Sequence, residues 1–375
     1  MATSSLLEQR LIARIEREGP LPFAEYMRMA LYDPESGYYT AGAPRIGWSG
    51  DYFTSGDLGY FFAHCLGRQL FQMWEELGHP QPFRVWEQGA GRGELETGVH
   101  DWAEQEQPEF AAALSYRSLD LHHGEDVLSA TALQQLSEKD GAPHIILANE
   151  LVDAFPVHLV EVHQGQLYEI YVGLDKGRLR EIAVPSAPEV VTYLDRYCIR
   201  WRSFPDGWRA EINLEALRWV ELQALLLRQG FLLVIDYGDR ASRLYSRARR
   251  RGTLLCYHKH RINEQPLARP GEQDITAHVN FSALIDEGRR HGLRLRLFTT
   301  QRAWLERMGI FEELEQLRRT HFTAADQERA TDQGQIALLR WYNLRQQVLA
   351  LTDPAGLGNF KVLIMRRRVP SREQH

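Results

Sequence analysis

The chain has 375 residues, of which 44% are hydrophobic and 25% charged, and its formal net charge at pH 7 is -6. This length can bury a sizeable core, as one elaborated α/β domain or as a core with a smaller appended region, and we expect the first. The negative net charge offers no general attraction to nucleic acid or to an anionic membrane, so neither is expected as a partner.

The cysteine pattern and the hydropathy restrict the cellular setting. Cys65, Cys198 and Cys256 show no CxxC spacing and cannot all pair, which favours a reducing compartment. No apolar run approaches the roughly 18 residues that span a bilayer, and the first residues lack the apolar segment of a signal peptide. We therefore expect a cytoplasmic protein without membrane insertion.

Residues 1–80 are predicted to form a helical N-terminal region. Apolar residues at helical spacing predict helices over 5–18, 23–33 and 60–77. The glycine-rich stretch 34–51 is predicted to be a long loop, and its length alone makes it a functional candidate.

From residue 83 the sequence alternates short apolar strands with helices. Candidate strands are FRVWE, YRSLDL, HIILANE and FLLVIDYG, and FKVLIMRR is expected as a final antiparallel partner. This alternation predicts a doubly wound α/β sheet with helices on both faces, within a core over 81–370. Insertions are expected at about 160–212, as antiparallel hairpins, and at about 240–275.

A glycine loop follows the first of these strands. It has no Gly-Lys-Ser/Thr, and Glu94 occupies the place of the third dinucleotide glycine, which argues against both phosphate-binding motifs. Gly89, Gly91 and Gly93 allow positive φ and close approach of a ligand, and Glu87 suits a cationic or hydroxyl-bearing one. S-adenosylmethionine, which carries an ammonium, a sulfonium and ribose hydroxyls but no phosphate, fits this chemistry, although a purely structural turn stays open.

The second strand predicts a further cofactor contact. Asp120 ends this strand, 27 positions after Gly93, where an acid usually accepts the ribose hydroxyls in α/β cofactor sites. The alternative role for Asp120 is to cap the following helix.

Seven blocks carry a family resemblance, in this order: AEYMRMALYDPESGYYT, GDYFTSGDLG, EQGAGRGEL, LANELVDAFPVH, LLVIDYG, LCYHKHRINEQPLARPGEQDITAHVNFS and QRAWLERMGI. With them the chain resembles the MidA-like S-adenosylmethionine-dependent methyltransferases, a family that includes the mitochondrial protein-arginine methyltransferase assisting complex I assembly. The resemblance implies a class I methyltransferase Rossmann-like sheet.

The resemblance also implies cofactor contacts from the N-terminal loop. Gly50, Asp51, Thr54 and Ser55 would lie at the methionine end of S-adenosylmethionine, whereas Thr54 and Ser55 would otherwise be interpreted as helix caps. Three departures from the usual family pattern are Gln88, Ala90 and Asp57.

The block after the third strand supplies the candidates for methyl transfer. Carboxylates hold a guanidinium in a forked pair, so Glu150 and Asp153 are the catalytic candidates, and Asn149 is expected to contact the cofactor or orient Glu150. The structural alternatives are a cap at Asp153 and an ion pair at Glu150. Tyr237 either lines the acceptor channel or packs as a core aromatic.

Two further motifs carry weaker signals. His258 and His260 have a spacing that suits metal ligation on a strand, but methyl transfer needs no metal and none is expected. The arginine-rich stretch 240–252 is either a basic patch for an acidic partner or a solvated surface, and the second is favoured.

The sequence thus predicts an S-adenosylmethionine-dependent methyltransferase. Only the resemblance implies its substrate, an arginine of a protein such as a complex I subunit or its equivalent. Three alternatives stay open at this stage: a non-catalytic cofactor-binding assembly factor, a methyltransferase with another substrate, and a nicotinamide-dependent oxidoreductase, which Glu94 disfavours.

Overall fold

The computed structural model describes residues 5–41, 59–121, 126–259, 261–322 and 332–368. Several residues named above lie outside these ranges, and their predicted roles stay predictions: Gly50, Asp51, Thr54, Ser55, Asp57 and His260.

The described chain forms sixteen strands in four sheets. In chain order they are β1 Leu21–Pro22, β2 Phe83–Gln88, β3 Leu114–Leu119, β4 Ile145–Asn149, β5 His158–His163, β6 Gln166–Asp175, β7 Arg178–Pro185, β8 Arg209–Ile212, β9 Gly230–Asp236, β10 Gly238–Asp239, β11 Leu255–His258, β12 Arg261–Asn263, β13 Asp274–Thr276, β14 Val279–Asn280, β15 Arg294–Thr300 and β16 Lys361–Arg367.

The helices cover the periodic segments that the sequence predicts. The α-helices are Leu6–Glu18, Phe23–Tyr32, Tyr60–Glu76, Glu94–Glu106, Pro108–Ala113, Ala130–Asp140, Pro188–Arg196, Leu214–Leu226, Ala241–Leu244, Phe281–Arg290, Gln301–Arg307, Ile310–Leu317 and Asp332–Thr352. A π-helical turn spans Arg318–Phe322, and 3-10 turns span Val152–Ala154, Trp201–Ser203 and Leu357–Asn359. None of the described helices is both long and apolar enough to cross a membrane.

The central sheet has six strands in the order β15-β16-β9-β4-β2-β3. Strands β3, β2, β4 and β9 run parallel, whereas β16 is antiparallel to both β9 and β15. The predicted parallel sheet with a late antiparallel partner is therefore confirmed. The carboxyl ends of β2, β3, β4 and β9 meet at one edge, where ligands bind in doubly wound folds.

Both faces of this sheet are buried, which explains the continuous apolar runs of its strands. Along β4, Ile145 and Leu147 pack into one apolar cluster, and Ile146 and Ala148 pack into another on the opposite face. Helices cover each cluster, so the predicted doubly wound arrangement is confirmed.

A second sheet lies after β4 in the chain. Strands β5, β6 and β7 form the predicted antiparallel hairpins, and β8 and β1 complete the sheet. The N-terminal helices share its core: Phe23 and Met27 pack with Leu159 and Ile170. Because β1 also pairs with β6, the N-terminal region is anchored on the inserted sheet. A further sheet of β12-β11-β13 extends this layer.

Candidate active site

The glycine loop turns sharply between β2 and the helix Glu94–Glu106. Gly89, Gly91 and Gly93 all have positive φ values, of 73°, 56° and 72°. A Cβ at Gly89 would approach Cδ1 of Leu151 to 2.8 Å. Left-handed backbone and close packing therefore require glycine in this loop, as the sequence predicts.

The loop is tied to the end of β3 by hydrogen bonds. The N–H of Gly91 donates to Oδ2 of Asp120 at 2.9 Å, and the N–H of Gly89 donates to the carbonyl of Leu119 at 2.9 Å. Asp120 is therefore not simply a helix cap, because its carboxylate fixes the conformation of the glycine loop.

A first cavity of about 290 Å³ lies in front of this loop. It is lined by residues of the glycine loop, of the ends of β3 and β4, and of the N-terminal region: Arg28, Tyr32, Tyr39, Gly89, Gly91, Asp120, Leu121, Asp126, Val127, Leu128, Glu150, Leu151, Ala154 and Phe155. The structure thus brings Gly89, Gly91, Asp120 and Glu150 together around one cavity.

The N-terminal helix Phe23–Tyr32 contributes to this cavity in a way that the sequence reasoning missed. The hydroxyl of Tyr32 donates to the carbonyl of Ala154 at 2.9 Å, and the rings of Tyr32 and Tyr39 stack with centroids 5.6 Å apart. Arg28 is held by Glu215, with Nη2 and Oε2 2.5 Å apart. The only signal was the first resemblance block, which contains these residues without indicating which of them face the site.

The first cavity fits S-adenosylmethionine. Asp120 offers a carboxylate for ribose hydroxyls, and Leu121, Val127 and Leu128 offer an apolar wall for a flat base. Nearby, at the end of β4, Oδ1 of Asn149 is buried and accepts no hydrogen bond from the described residues. Buried polar atoms are normally paired, so the orphaned amide oxygen is consistent with a polar ligand group in this region.

Glu87 lies behind the loop and does not line the first cavity. Its side chain is buried and accepts a hydrogen bond from the Tyr116 hydroxyl at 3.0 Å. Burial raises the pKa of Glu87 to about 8, so in this structure the group is mostly protonated at neutral pH. The predicted contact of Glu87 with the cofactor stays a prediction.

Gln88, one of the departures from the family pattern, has a structural role. Its fully buried amide donates to Oε1 of Gln223 at 2.8 Å and accepts from the indole N–H of Trp219 at 2.7 Å. The polar side chain is therefore paired inside the core, and this departure supplies no argument against cofactor binding.

Glu150 sits directly after β4 in a left-handed conformation, with φ of 51°. Its N–H donates to the carbonyl of Ile235 at 2.8 Å, which fixes the turn against β9. A non-glycine residue in this region is uncommon and costs conformational energy, which is typical of functional sites. Glu150 lines both the first cavity and a second one.

The second cavity has a volume of about 410 Å³. Carboxylates, aromatic rings and a C-terminal turn form its wall: Glu150, Asp153, Tyr237, Gly238, Leu255, Tyr257, Asp274, Thr276, His278, Ala355, Gly356, Leu357, Asn359 and Phe360. Three acids and several rings are suited to a cationic side chain.

Asp153 and Asp236 are buried carboxylates, and each is held by its own hydrogen bonds. The Tyr237 hydroxyl donates to Oδ2 of Asp153, and Oδ2 of Asp236 accepts the N–H groups of Val152 and Asp153 at 3.0 and 3.2 Å. Burial raises the pKa of Asp153 to about 6, and burial together with the neighbouring charges of Asp153 and Glu150 raises that of Asp236. Tyr237 lines the second cavity and also packs against the rings of His278 and Phe360.

The N-terminal region also reaches the second cavity. Tyr39 lines the first cavity, and its hydroxyl donates to Oδ1 of Asp274 at 2.7 Å. Asp274 is buried and lines the second cavity. The N-terminal region therefore connects the walls of the two cavities through the bond from Tyr39 to Asp274.

His258 has a structural hydrogen bond. Its Nδ1 lies 2.7 Å from the carbonyl oxygen of Glu272, between β11 and the loop before β13. Within the ranges that the structure describes, no group of three His, Cys, Asp or Glu side chains is arranged to hold a metal ion.

Comparisons with known proteins identify the family. Residues 65–299, more than half of the chain, match the family model of an S-adenosyl-L-methionine-dependent methyltransferase. A Drosophila melanogaster relative, "Protein arginine methyltransferase NDUFAF7 homolog, mitochondrial", is 27% identical over 96% of this chain and 84% of its own length. The Homo sapiens "Protein arginine methyltransferase NDUFAF7, mitochondrial" is 25% identical over 74% of this chain and 67% of its length.

A solved structure agrees with the fold and with the cofactor. The COG1565 superfamily member from Burkholderia thailandensis bound to S-adenosyl-homocysteine superposes with a TM-score of 0.81 and is 28% identical, over 99% of this chain and 94% of that one. The class I Rossmann-like fold and the S-adenosylmethionine cofactor predicted from the sequence are confirmed. The chain belongs to the MidA-like family of S-adenosylmethionine-dependent methyltransferases.

Proposed function

We propose that this methyltransferase modifies an arginine side chain of a protein. The observation that supports the proposal is the position of Glu150, which lines both the cofactor-side first cavity and the acidic second cavity. An acceptor that lies in the second cavity and is held by the Glu150 carboxylate faces the first cavity. The methyl donor and the acceptor therefore meet at Glu150.

The acids and aromatic rings that line the second cavity suit a guanidinium. Glu150 and Asp153 present carboxylates that pair with its planar donors, and Tyr237 and Tyr257 offer aromatic faces on which it stacks. The relatives named as protein arginine methyltransferases agree with this acceptor class.

The chain's residues have two tasks in such a transfer. When bound, S-adenosylmethionine supplies an electrophilic methyl group on a sulfonium. Glu150 orients the acceptor nitrogen, and Asp153 accepts the proton that this nitrogen loses as its new N–C bond forms, so the product guanidinium keeps a single positive charge. With a pKa of about 6, Asp153 is largely ionised at neutral pH and is available as that base.

The family resemblance extends the proposal to a biological client, a subunit of respiratory complex I or its bacterial equivalent. Proteome-wide mass spectrometry tests acceptor and client together, in a deletion strain complemented with the wild-type chain or with Glu150→Gln. We expect loss of a methylarginine in the deletion strain, restoration by the wild type and no restoration by Glu150→Gln. An unchanged set of methylarginine sites would contradict the proposal.

A further inference from the structure

A third cavity of about 530 Å³ adjoins the second one. Leu255 and His278 line both, so the acidic second cavity and its neighbour share part of their walls. The third cavity therefore lies within reach of a polypeptide that places an arginine in the second.

The third cavity differs from the second in charge. Three arginines line it, Arg209, Arg249 and Arg251, together with Glu181 and Glu264. Two of these arginines come from the arginine-rich stretch 240–252, for which the sequence left open a basic patch or a solvated surface.

The three arginines are not equally available. Arg209 is neutralised by Glu161 at 2.6 Å and Glu181 at 2.7 Å. Arg251 has only a weak exposed pair with Glu264, with nitrogen and oxygen 3.5 Å apart. Arg249 is exposed and makes no ion pair with any residue in the described part of the chain, so its charge is open to a ligand.

The backbone that carries these arginines is held firmly. The buried carboxylate of Glu211 accepts the N–H and the hydroxyl of Thr253, at 3.0 and 2.8 Å, and the N–H of Leu254 at 3.2 Å. The Thr253 hydroxyl in turn accepts the N–H of His278 at 3.0 Å, which ties the segment to the wall shared by both cavities. A charged group mounted on an ordered segment loses less entropy on binding than one on a free loop.

The electrostatics of the shared wall agree with this geometry. Burial together with the positive charges of Arg249 and Lys361 lowers the pKa of His278 to about 4. The second cavity is thus lined by the acids Glu150 and Asp153, and the third, beyond His278, presents the charge of Arg249.

We propose that the third cavity, through Arg249 and Arg251, binds an acidic side chain of the protein substrate that lies near its target arginine in sequence. This proposal rests on the proposed function and adds a sequence preference to it. An extended peptide advances about 3.3 Å per residue, so a neighbour a few positions away reaches the adjoining cavity. A nucleic acid is a poorer candidate, because the neighbouring carboxylates and the net charge of -6 repel a polyanion.

The test uses the full chain with S-adenosylhomocysteine and a library of short peptides, each with a fixed central arginine and randomised flanks. Bound peptides are sequenced for the wild type, for Arg249→Glu and for Arg247→Glu. Arg247 is an exposed arginine of the same stretch that lines none of the three cavities, so its variant carries a matched charge change.

We expect Asp and Glu to be enriched at flanking positions on one side of the arginine. An exposed ion pair corresponds to an enrichment of up to about fivefold. Arg249→Glu should abolish the enrichment or convert it to Lys and Arg, and Arg247→Glu should leave it unchanged.

Each other outcome overturns a specific claim. No acidic enrichment for the wild type, or enrichment that survives Arg249→Glu, overturns the assignment of the third cavity. A single-stranded oligonucleotide that competes with the peptides for the wild type, but not for Arg249→Glu, also overturns this assignment. The cavity would then bind a nucleic acid. Equal recovery of a library with alanine in place of the central arginine overturns the proposed function instead.

Discussion

The N–H of Gly91 donates a hydrogen bond of 2.9 Å to Oδ2 of Asp120, which joins the turn after β2 to the end of β3. Two motifs separated by 29 positions thus form one structural unit at the edge of the central sheet. The conformation of the glycine loop and the position of the acid that faces the first cavity depend on each other.

Gly91→Val should weaken S-adenosylhomocysteine binding by at least about tenfold. A branched side chain at φ of 56° costs about 1–3 kcal/mol, so the loop shifts and its N–H no longer meets Asp120. Calorimetric titration measures the affinity.

Gly177→Val is the matched control for this change. Gly177 has φ of 74° in the turn between β6 and β7, where an added Cβ meets nothing within 4 Å. It should lower stability through similar backbone strain and leave S-adenosylhomocysteine affinity unchanged. If Gly91→Val bound S-adenosylhomocysteine as tightly as the wild type, the loop would be shown not to contact the cofactor.

Glu150→Gln should spare cofactor binding to within about threefold and reduce methyl transfer about a hundredfold. The substitution preserves shape but removes the charge at the junction of the two cavities. Single-turnover transfer and calorimetry separate the two effects.

Asp126→Asn is a control for the loss of negative charge alone. Asp126 lines the first cavity but not the second, and its Oδ1 accepts the N–H of Leu128 at 2.9 Å, which an asparagine also permits. Transfer by this variant at saturating cofactor should match the wild type. A similar loss of methyl transfer in Asp126→Asn and in Glu150→Gln would contradict the special position of Glu150.

Methyl transfer should fall as pH decreases through about 6, because protonated Asp153 no longer accepts a proton. The Tyr237 hydroxyl stabilises the ionised carboxylate, so Tyr237→Phe should raise the pKa of Asp153 and move this loss of activity to higher pH. The pH profile of kcat/KM measures the shift.

Tyr32→Phe is the control and should leave the pH profile of kcat/KM unchanged. The Tyr32 hydroxyl donates to the carbonyl of Ala154 rather than to a carboxylate, so its removal deletes a nearby, partly buried hydroxyl without altering the hydrogen bond to Asp153. If kcat/KM falls at the same low pH in Tyr237→Phe as in the wild type, Asp153 is excluded as the titrating group.

Glu87→Gln should flatten the pH dependence of the free energy of unfolding between about 4.5 and 8. The folded-state pKa of Glu87 is raised, so its stabilising contribution is complete below 4.5 and is lost as pH rises through about 8. Each unit of pKa shift corresponds to about 1.4 kcal/mol. Denaturant unfolding at several pH values measures the effect.

The exposed Glu109→Gln is the control and should leave that pH dependence unchanged. A pH dependence of stability in Glu87→Gln that matches that of the wild type would contradict the buried, protonated state of Glu87. Weaker S-adenosylhomocysteine binding by Glu87→Gln would support the cofactor contact that the sequence predicts.

Local patterns were enough to place Gly91 and Asp120 at the same edge of the sheet. Gly91 and Asp120 each follow an apolar strand, and the ends of adjacent parallel strands converge at one sheet edge. The pairing of Gln88 with Trp219, 131 positions away, had no such signal, and from the sequence Gln88 was only a departure from a family pattern.

The sequence by itself determined the doubly wound fold, the glycine loop and the acids at the strand ends, because helical and strand periodicity and turn chemistry are properties of neighbouring residues. Only the tertiary structure decided which cavities those acids face. The placement of Glu150 between two cavities, the bond from Tyr39 to Asp274 and the position of Arg249 beyond His278 arise from contacts between distant segments. Such contacts depend on how the inserted sheet and the N-terminal helices pack on the core, and that packing leaves no periodic trace in the chain.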